Sequence, residues 1–363
     1  MRRENIGMPR HIAPFVFGGL VSRVVFGAGA LAQAGAEIAR LGRGRALVLS
    51  TPEQEGAAAR LAEALGPLAA GVFAGARMHT PVSVTAEAVA AFGNAGADCV
   101  VSLGGGSTIG LGKAIALRTG CDQVAIPTTY AGSEMTDILG ETERGEKTTR
   151  RDPAIRPEVV IYDVSLSRGL PLALSIASGM NALAHAAEAL YAEDGNPIVA
   201  LMAGEAVGAL AQALPLIAAE PHDERGRGLA LYGAWLGGAS LGAASMALHH
   251  KLCHVLGGAF ALPHAETHAA MLPHTLGFNA PAAREALAPL RTAFGEAVGP
   301  GLWDWAKRIG APMNLADLGL RRGDLDRAAD LAVAKPYPNP RPFGRAEVRA
   351  ILQEAWDGAR PDG

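Results

Sequence analysis

The chain has 363 residues, 49% of them hydrophobic and 18% charged, which is ample for two cores and unlike a disordered chain. A net charge of −3 leaves no electrostatic footprint for nucleic acid or an anionic membrane. The expected partner is therefore a small molecule, recognised locally.

Arg10, His11 and Arg23 interrupt the apolar N-terminal stretch, so neither a signal-peptide core nor a membrane span is expected there. From there to about residue 165, short apolar runs alternate with segments of helical period. The runs are 46–50 (ALVLS), 100–103 (VVSL), 124–126 (VAI) and 159–162 (VVIY). Continuous runs of this kind suit parallel strands buried on both faces. The segments 52–65, 84–95 and 108–118 have helical period. Strand and helix in alternation predict an α/β, doubly wound parallel-sheet nucleotide-binding domain over 1–165. Beyond Leu170 the β-rich runs stop. Ala/Leu/Gly-rich stretches at 173–192, 198–218 and 225–250 predict an all-α C-terminal domain over 166–363, with the boundary near 163–170.

Gly104-Gly105-Gly106-Ser107 follows an apolar run and opens a helical segment carrying Lys113. Glycines let the backbone approach an anion, and the free N–H groups of a helix start favour phosphate. The next run ends in a second polar loop, from Pro127 through Thr128, Thr129 and Tyr130 to Glu134. Two such loops at the ends of neighbouring parallel strands fit a dinucleotide pyrophosphate, although the common G-x-G-x-x-G order is absent. Gly27 to Gly29 form a weaker glycine-rich loop, as readily a plain turn.

Six of the ten histidines fall between His249 and His274. Asn181 and His185, and likewise His250 and His254, are four apart and share a helix face. His264 follows Pro263, where a new helix can begin. Three imidazoles with a carboxylate suit a divalent metal, but position 181 offers a neutral amide. His249, His268 and His274 read as ordinary core or surface residues. Cys99, Cys121 and Cys253 share no metal-ligand spacing and read as the reduced thiols of a cytoplasmic protein.

Taken together, GGGSxxxxxKA at 104–114, PTT at 127–129, GSE at 132–134, the Asp152-Pro153 segment, AxxHAxE at 182–188 and HxxxHxLG…PH at 250–264 resemble the iron-containing alcohol dehydrogenase family. Its fold is dehydroquinate-synthase-like. The resemblance covers nearly the whole chain. It implies NADH or NADPH as cofactor, with Ser50, Gly104, Gly105, Gly106, Ser107, Thr128, Thr129, Tyr130 and Lys147 around it. It also implies a homodimer. The strings at 104–119 and 126–136, and PNPRP at 338–342, resemble the branch that reduces the C=C bond of maleylacetate to give 3-oxoadipate in bacterial degradation of aromatic compounds. Gly110 and Asn181 stand where the alcohol-oxidising members carry acidic residues.

That branch implies His254 as proton donor or relay, with His185, His250, His264 and Asn181 on the substrate oxygens and bound metal absent or weak. The substrate's two carboxylates need cations, for which Lys251, Arg144, Arg150 and Arg341 are candidates. Two rival readings are a metal-dependent alcohol or aldehyde dehydrogenase of the same family and a non-redox, dehydroquinate-synthase-like protein. NADH and NADPH are not distinguished, because no acidic residue directly ends the first apolar run.

Overall fold

The computed structural model describes residues 15, 17–18, 22–144, 146–335 and 337–362, and for 146 and 147 the backbone alone. One parallel sheet is built from β1 (Arg23–Phe26), β2 (Ala46–Leu49), β3 (Ala69–Phe73), β4 (Cys99–Gly104), β5 (Asp122–Pro127) and β8 (Val159–Tyr162), in the order β1-β8-β5-β4-β2-β3. Between β5 and β8 the chain forms a separate antiparallel hairpin, β6 (Ile138–Glu143) and β7 (Glu146–Arg151).

Alternate residues of the same strands feed two cores, as a doubly wound sheet requires. Val48, Val101, Val124 and Ile161 pack with Ile38, Leu61 and Leu65 of α1 (Ala34–Arg40) and α2 (Glu55–Leu65). Leu47, Leu49 and Val100 turn to the other face, onto Val84, Ala88, Phe92, Leu111 and Ile115 of α3 (Val82–Asn94) and α4 (Gly106–Thr119).

Among the described residues, every regular element after β8 is a helix: α5 (Leu172–Leu190), α6 (Pro197–Ala219), α7 (Glu224–Ala243), α8 (Leu248–Phe260), α9 (His264–Asn279), α10 (Ala288–Phe294), α11 (Val298–Arg308), α12 (Leu325–Val333) and α13 (Arg345–Asp357), with short 3-10 turns. The largest core joins both halves. Tyr130, Met135, Val160 and Tyr162 pack with Met180 and Leu183 of α5, Leu210 of α6 and Leu231 of α7. Helix α6 is long and apolar enough to cross a bilayer by composition, but its Val199, Ala203, Leu210, Leu214 and Ile217 are buried inside the protein.

The structure differs from the sequence expectation in three places. The single helix expected over 225–250 is two, because Asp194 takes the N–H and hydroxyl of Ser245 at 2.7 and 2.8 Å and holds the chain extended before α8. Strands β1 and β3 were not anticipated; β3 contains Gly71 and is only half-buried at the sheet edge. The hairpin was not anticipated either, since charged residues and threonines give it no apolar run.

Candidate active site

Chain order places the switch of winding direction at β2 and β4: from β2 the chain crosses to β3 on one side, then to β4 on the other. Ligands of open α/β sheets bind at the strand carboxyl ends beside such a switch. Here those ends carry Ser50 and Gly104. Helix α4 starts at Gly106 with no side chain capping it, leaving first-turn N–H groups for an anion.

The cradle has no room for a side chain at Gly104 or Gly105. A Cβ on Gly104 would collide with Thr108 Oγ1, and one on Gly105 would stand 2.9 Å from Thr129 Cγ2. Thr128 Oγ1 accepts from Gln54 Nε2 at 3.0 Å. The hydroxyls of Ser50 and Thr108 are buried without a partner. Gly106 is exposed, and Ser107 and Thr129 are half-buried at the opening. Tyr130 is different: its side chain is fully buried and its hydroxyl accepts from Arg227 Nη1 at 3.1 Å, tying the loop to α7. The Lys147 side chain lies outside the described residues.

Two departures in this half have physical counterparts. A Cβ on Gly110 would meet Thr80 Oγ1 at 2.6 Å, so Thr80 occupies the space an acidic residue would need. Thr80 and His79 are both left-handed, with φ of 44° and 64°, a costly conformation for non-glycine residues. The loop at Gly27 to Gly29 is fixed by Asp163, whose carboxylate accepts from the N–H groups of Gly29 and Leu31.

Three helices bring the histidines together. Helix α5 supplies Asn181 and His185, α8 supplies His249, His250 and His254, and α9 supplies His264 and His268. His185 Nδ1 and His250 Nε2 are 2.7 Å apart. His185 Nε2 faces the carbonyl of Ala131 at 3.3 Å, which joins the pocket directly to the loop after β5. His254 is exposed; its ring centre lies 6.2 Å from that of His250 and 6.3 Å from that of His264. Asn181 is buried and its Oδ1 has no partner.

Sequence reasoning missed Glu188, one turn beyond His185. Its buried carboxylate accepts from the N–H groups of Ala247, His249 and His250 and from His250 Nδ1 at 2.6 Å. Burial opposes its ionisation, but the bond from His250 and the surrounding donors hold it down to about 2. The E in AxxHAxE was the available signal. Leu248 N–H, the remaining free donor of the first turn, goes to Asn339 Oδ1 at 3.4 Å. All four orphan amides of α8 are thus capped by side chains from α5 and from the PNPRP stretch.

Two acceptors, the Ala131 carbonyl and Glu188, bracket the His185–His250 pair. Three hydrogen bonds in that row need three protons, one more than two neutral imidazoles carry. Burial holds His185 well below the ordinary imidazole range, as do its imidazole neighbours.

His268, expected to be background, is the hub of the cluster, with ring centres of His249, His250 and His264 at 4.8, 4.9 and 4.5 Å. Its Nδ1 meets His249 Nε2 at 2.9 Å and its Nε2 is an unpartnered buried atom. His264 and His268 are four apart on α9, so the signal was the same spacing used elsewhere. His249 also bonds Thr275 and is pushed down to about 3 by burial. His274 is buried, with Glu354 at 3.7 Å.

The sequence profile described as iron-containing alcohol dehydrogenase matches residues 21–164, and that of the family's C-terminal region matches 175–356. A maleylacetate reductase of Rhizobium sp. (strain MTP-10005) is 59% identical over 96% of this chain and 99% of its own length. Another, of Burkholderia cepacia, is 54% identical over 96% and 99%. The crystal structure of a maleylacetate reductase from Agrobacterium tumefaciens superposes with a TM-score of 0.94 at 59% identity, covering 96% of this chain and all of that one. The chain belongs to the iron-containing alcohol dehydrogenase family.

Proposed function

We propose that this protein reduces the C=C bond of maleylacetate to give 3-oxoadipate with NADH or NADPH, in the cytoplasmic degradation of aromatic compounds, and works as a homodimer. The name carried by relatives 59% and 54% identical over 96% of the chain supports the substrate. The observation that carries the chemistry is a buried imidazole pocket in which position 181 is a neutral amide and not a carboxylate.

The family name implies iron. The donor set here does not fit it. Asn181 brings no charge, Glu188 is committed to α8, and His185 and His250 are bonded to each other. The feature on the other side is the close approach of nitrogens from His249, His250 and His268, all within 4.8 Å. A nicotinamide cofactor does fit, on the crowded glycine cradle and the uncapped α4 terminus, and it supplies a hydride.

Hydride from a bound nicotinamide would add to the carbon β to the ketone, leaving negative charge on the ketone oxygen as an enolate. Imidazole and amide donors in a water-poor pocket stabilise such an oxygen. His264 and Asn181 fill that role, with His185 and His250 behind them oriented by Ala131 and Glu188. His254 delivers the proton to the α carbon from the solvent-facing side. Purified protein should oxidise NADH or NADPH only when maleylacetate is added, and dialysis against a chelator should leave the rate nearly unchanged. Loss of activity restored by Fe²⁺ or Zn²⁺ would overturn the metal-free part. No nicotinamide oxidation with any enone or ketone would overturn the reductase.

A further inference from the structure

A groove of about 330 Å³ is lined by Val333 of α12 and by Lys335, Tyr337, Asn339, Arg341 and Phe343 among others. Among its described lining residues none is acidic and two are cationic. Lys251, next in sequence to His250, holds its ammonium 5.8 Å above the Tyr337 ring. Asn339 in the groove wall bonds the first residue of α8 and exchanges a pair of amide hydrogen bonds with Asn279, at 2.7 and 3.0 Å. The groove is therefore fastened to the helix that carries His250 and His254.

Two details mark it as more than a patch of solvated charge. The Arg341 guanidinium is stacked 4.2 Å over Phe278 and donates to the Phe278 carbonyl, so it is held in place before any ligand arrives. The Tyr337 hydroxyl is buried with no hydrogen-bond partner. Burial, and the Glu188 carboxylate nearby, push its ionisation up, so it stays a donor. Glu188 does not spoil the site for an anion, because α8 amides, His250 and Tyr191 already surround it.

We propose that this groove is the subsite for the substrate's second carboxylate, with Lys335 and Arg341 as its walls, Lys251 at its histidine-side rim and the Tyr337 hydroxyl as a neutral donor. The inference rests on the maleylacetate reading. The carboxylate concerned is the one beyond the ketone, since the other is attached to the carbon that receives hydride. Of the four cations considered from sequence, Arg341 lines the groove and Lys251 reaches the ring of its Tyr337, whereas Arg144 and Arg150 belong to the β6–β7 hairpin and do not line it.

The test compares diacids with monoacids that lack this carboxylate. In turnover the pair is maleylacetate and β-acetylacrylate; in equilibrium binding to the NAD⁺-loaded enzyme it is 3-oxoadipate and levulinate. Wild type should prefer the diacid by on the order of tenfold or more in both. Lys335→Met and Arg341→Gln should each cost the diacid several-fold, mainly in KM, and leave the monoacid within about twofold. Equal losses for both ligands, or a preference that survives both substitutions, overturns the subsite. Should Arg341→Gln fold poorly, Lys335→Met, at an exposed position, decides alone. Wild type that reduces neither enone refutes the functional reading, and the binding pair still decides whether the groove holds a carboxylate.

Discussion

The cradle beside β2, β4 and β5 is built of main chain: two glycines too crowded for a Cβ and the uncapped amides of α4. The pocket between α5, α8 and α9 is built of side chains, each oriented by another from a distant segment. The first construction suits a chemically uniform ligand such as the pyrophosphate proposed for it. The second fixes proton positions, and a charge lost from it cannot be replaced by water.

This contrast makes substitutions separable. The largest effect should come from His254→Ala, lowering kcat by roughly 10²–10⁴-fold as expected for a lost general acid, with the KM for NADH nearly unchanged. Unchanged turnover would remove His254 from the reaction. Glu188→Gln should come next. Removing the buried carboxylate charge that caps three α8 amides and His250 should cost about 3–5 kcal/mol, read as a fall in unfolding free energy. Because folding depresses the Glu188 pKa from 4.5 to about 2, its contribution is complete above pH 4.5 and is lost as pH falls toward 2. The gap between wild type and variant should therefore close over that window; a gap independent of pH would mean the carboxylate is not ionised in the fold.

Gly105→Ala should weaken cofactor binding by on the order of tenfold, since the new methyl must push Thr129 or the cofactor aside, while kcat at saturating cofactor holds. A fall in kcat alone would mean the cradle also positions the reacting atoms. Asn339→Ala should give the smallest change, roughly 1–2 kcal/mol of stability, because it removes the long α8 cap bond and the pair of bonds to the buried Asn279 amide. A loss as large as that of Glu188→Gln would mean the two caps act as one unit.

The cradle was legible because a strand-to-loop-to-helix unit is local: GGGS and PTT stand where neighbouring strands end. The pairing of α5 with α8 was half legible. Four-residue spacing put His185 and Asn181, and His250 and His254, on shared faces, yet could not show that His268 completes the cluster or that Glu188 faces the start of another helix 59 residues on. The break before α8 was invisible for the same reason, since Asp194 imposes it from 51 residues away. Tyr130 was assigned by position in its loop, whereas its phenol turns inward to Arg227.

The capping of α8 also bears on the order in which the protein becomes itself during synthesis. Glu188 is available before α8 is made, but Asn339 lies 91 residues after Leu248. A nascent chain that has completed its whole histidine set still has an open amide at the head of the helix holding them. The last contact arrives with the same short stretch that lines the carboxylate groove. A ribosome-bound chain stopped before residue 337 should therefore hold cofactor earlier than it turns over substrate, so that competence is gained late and from the far end of the sequence.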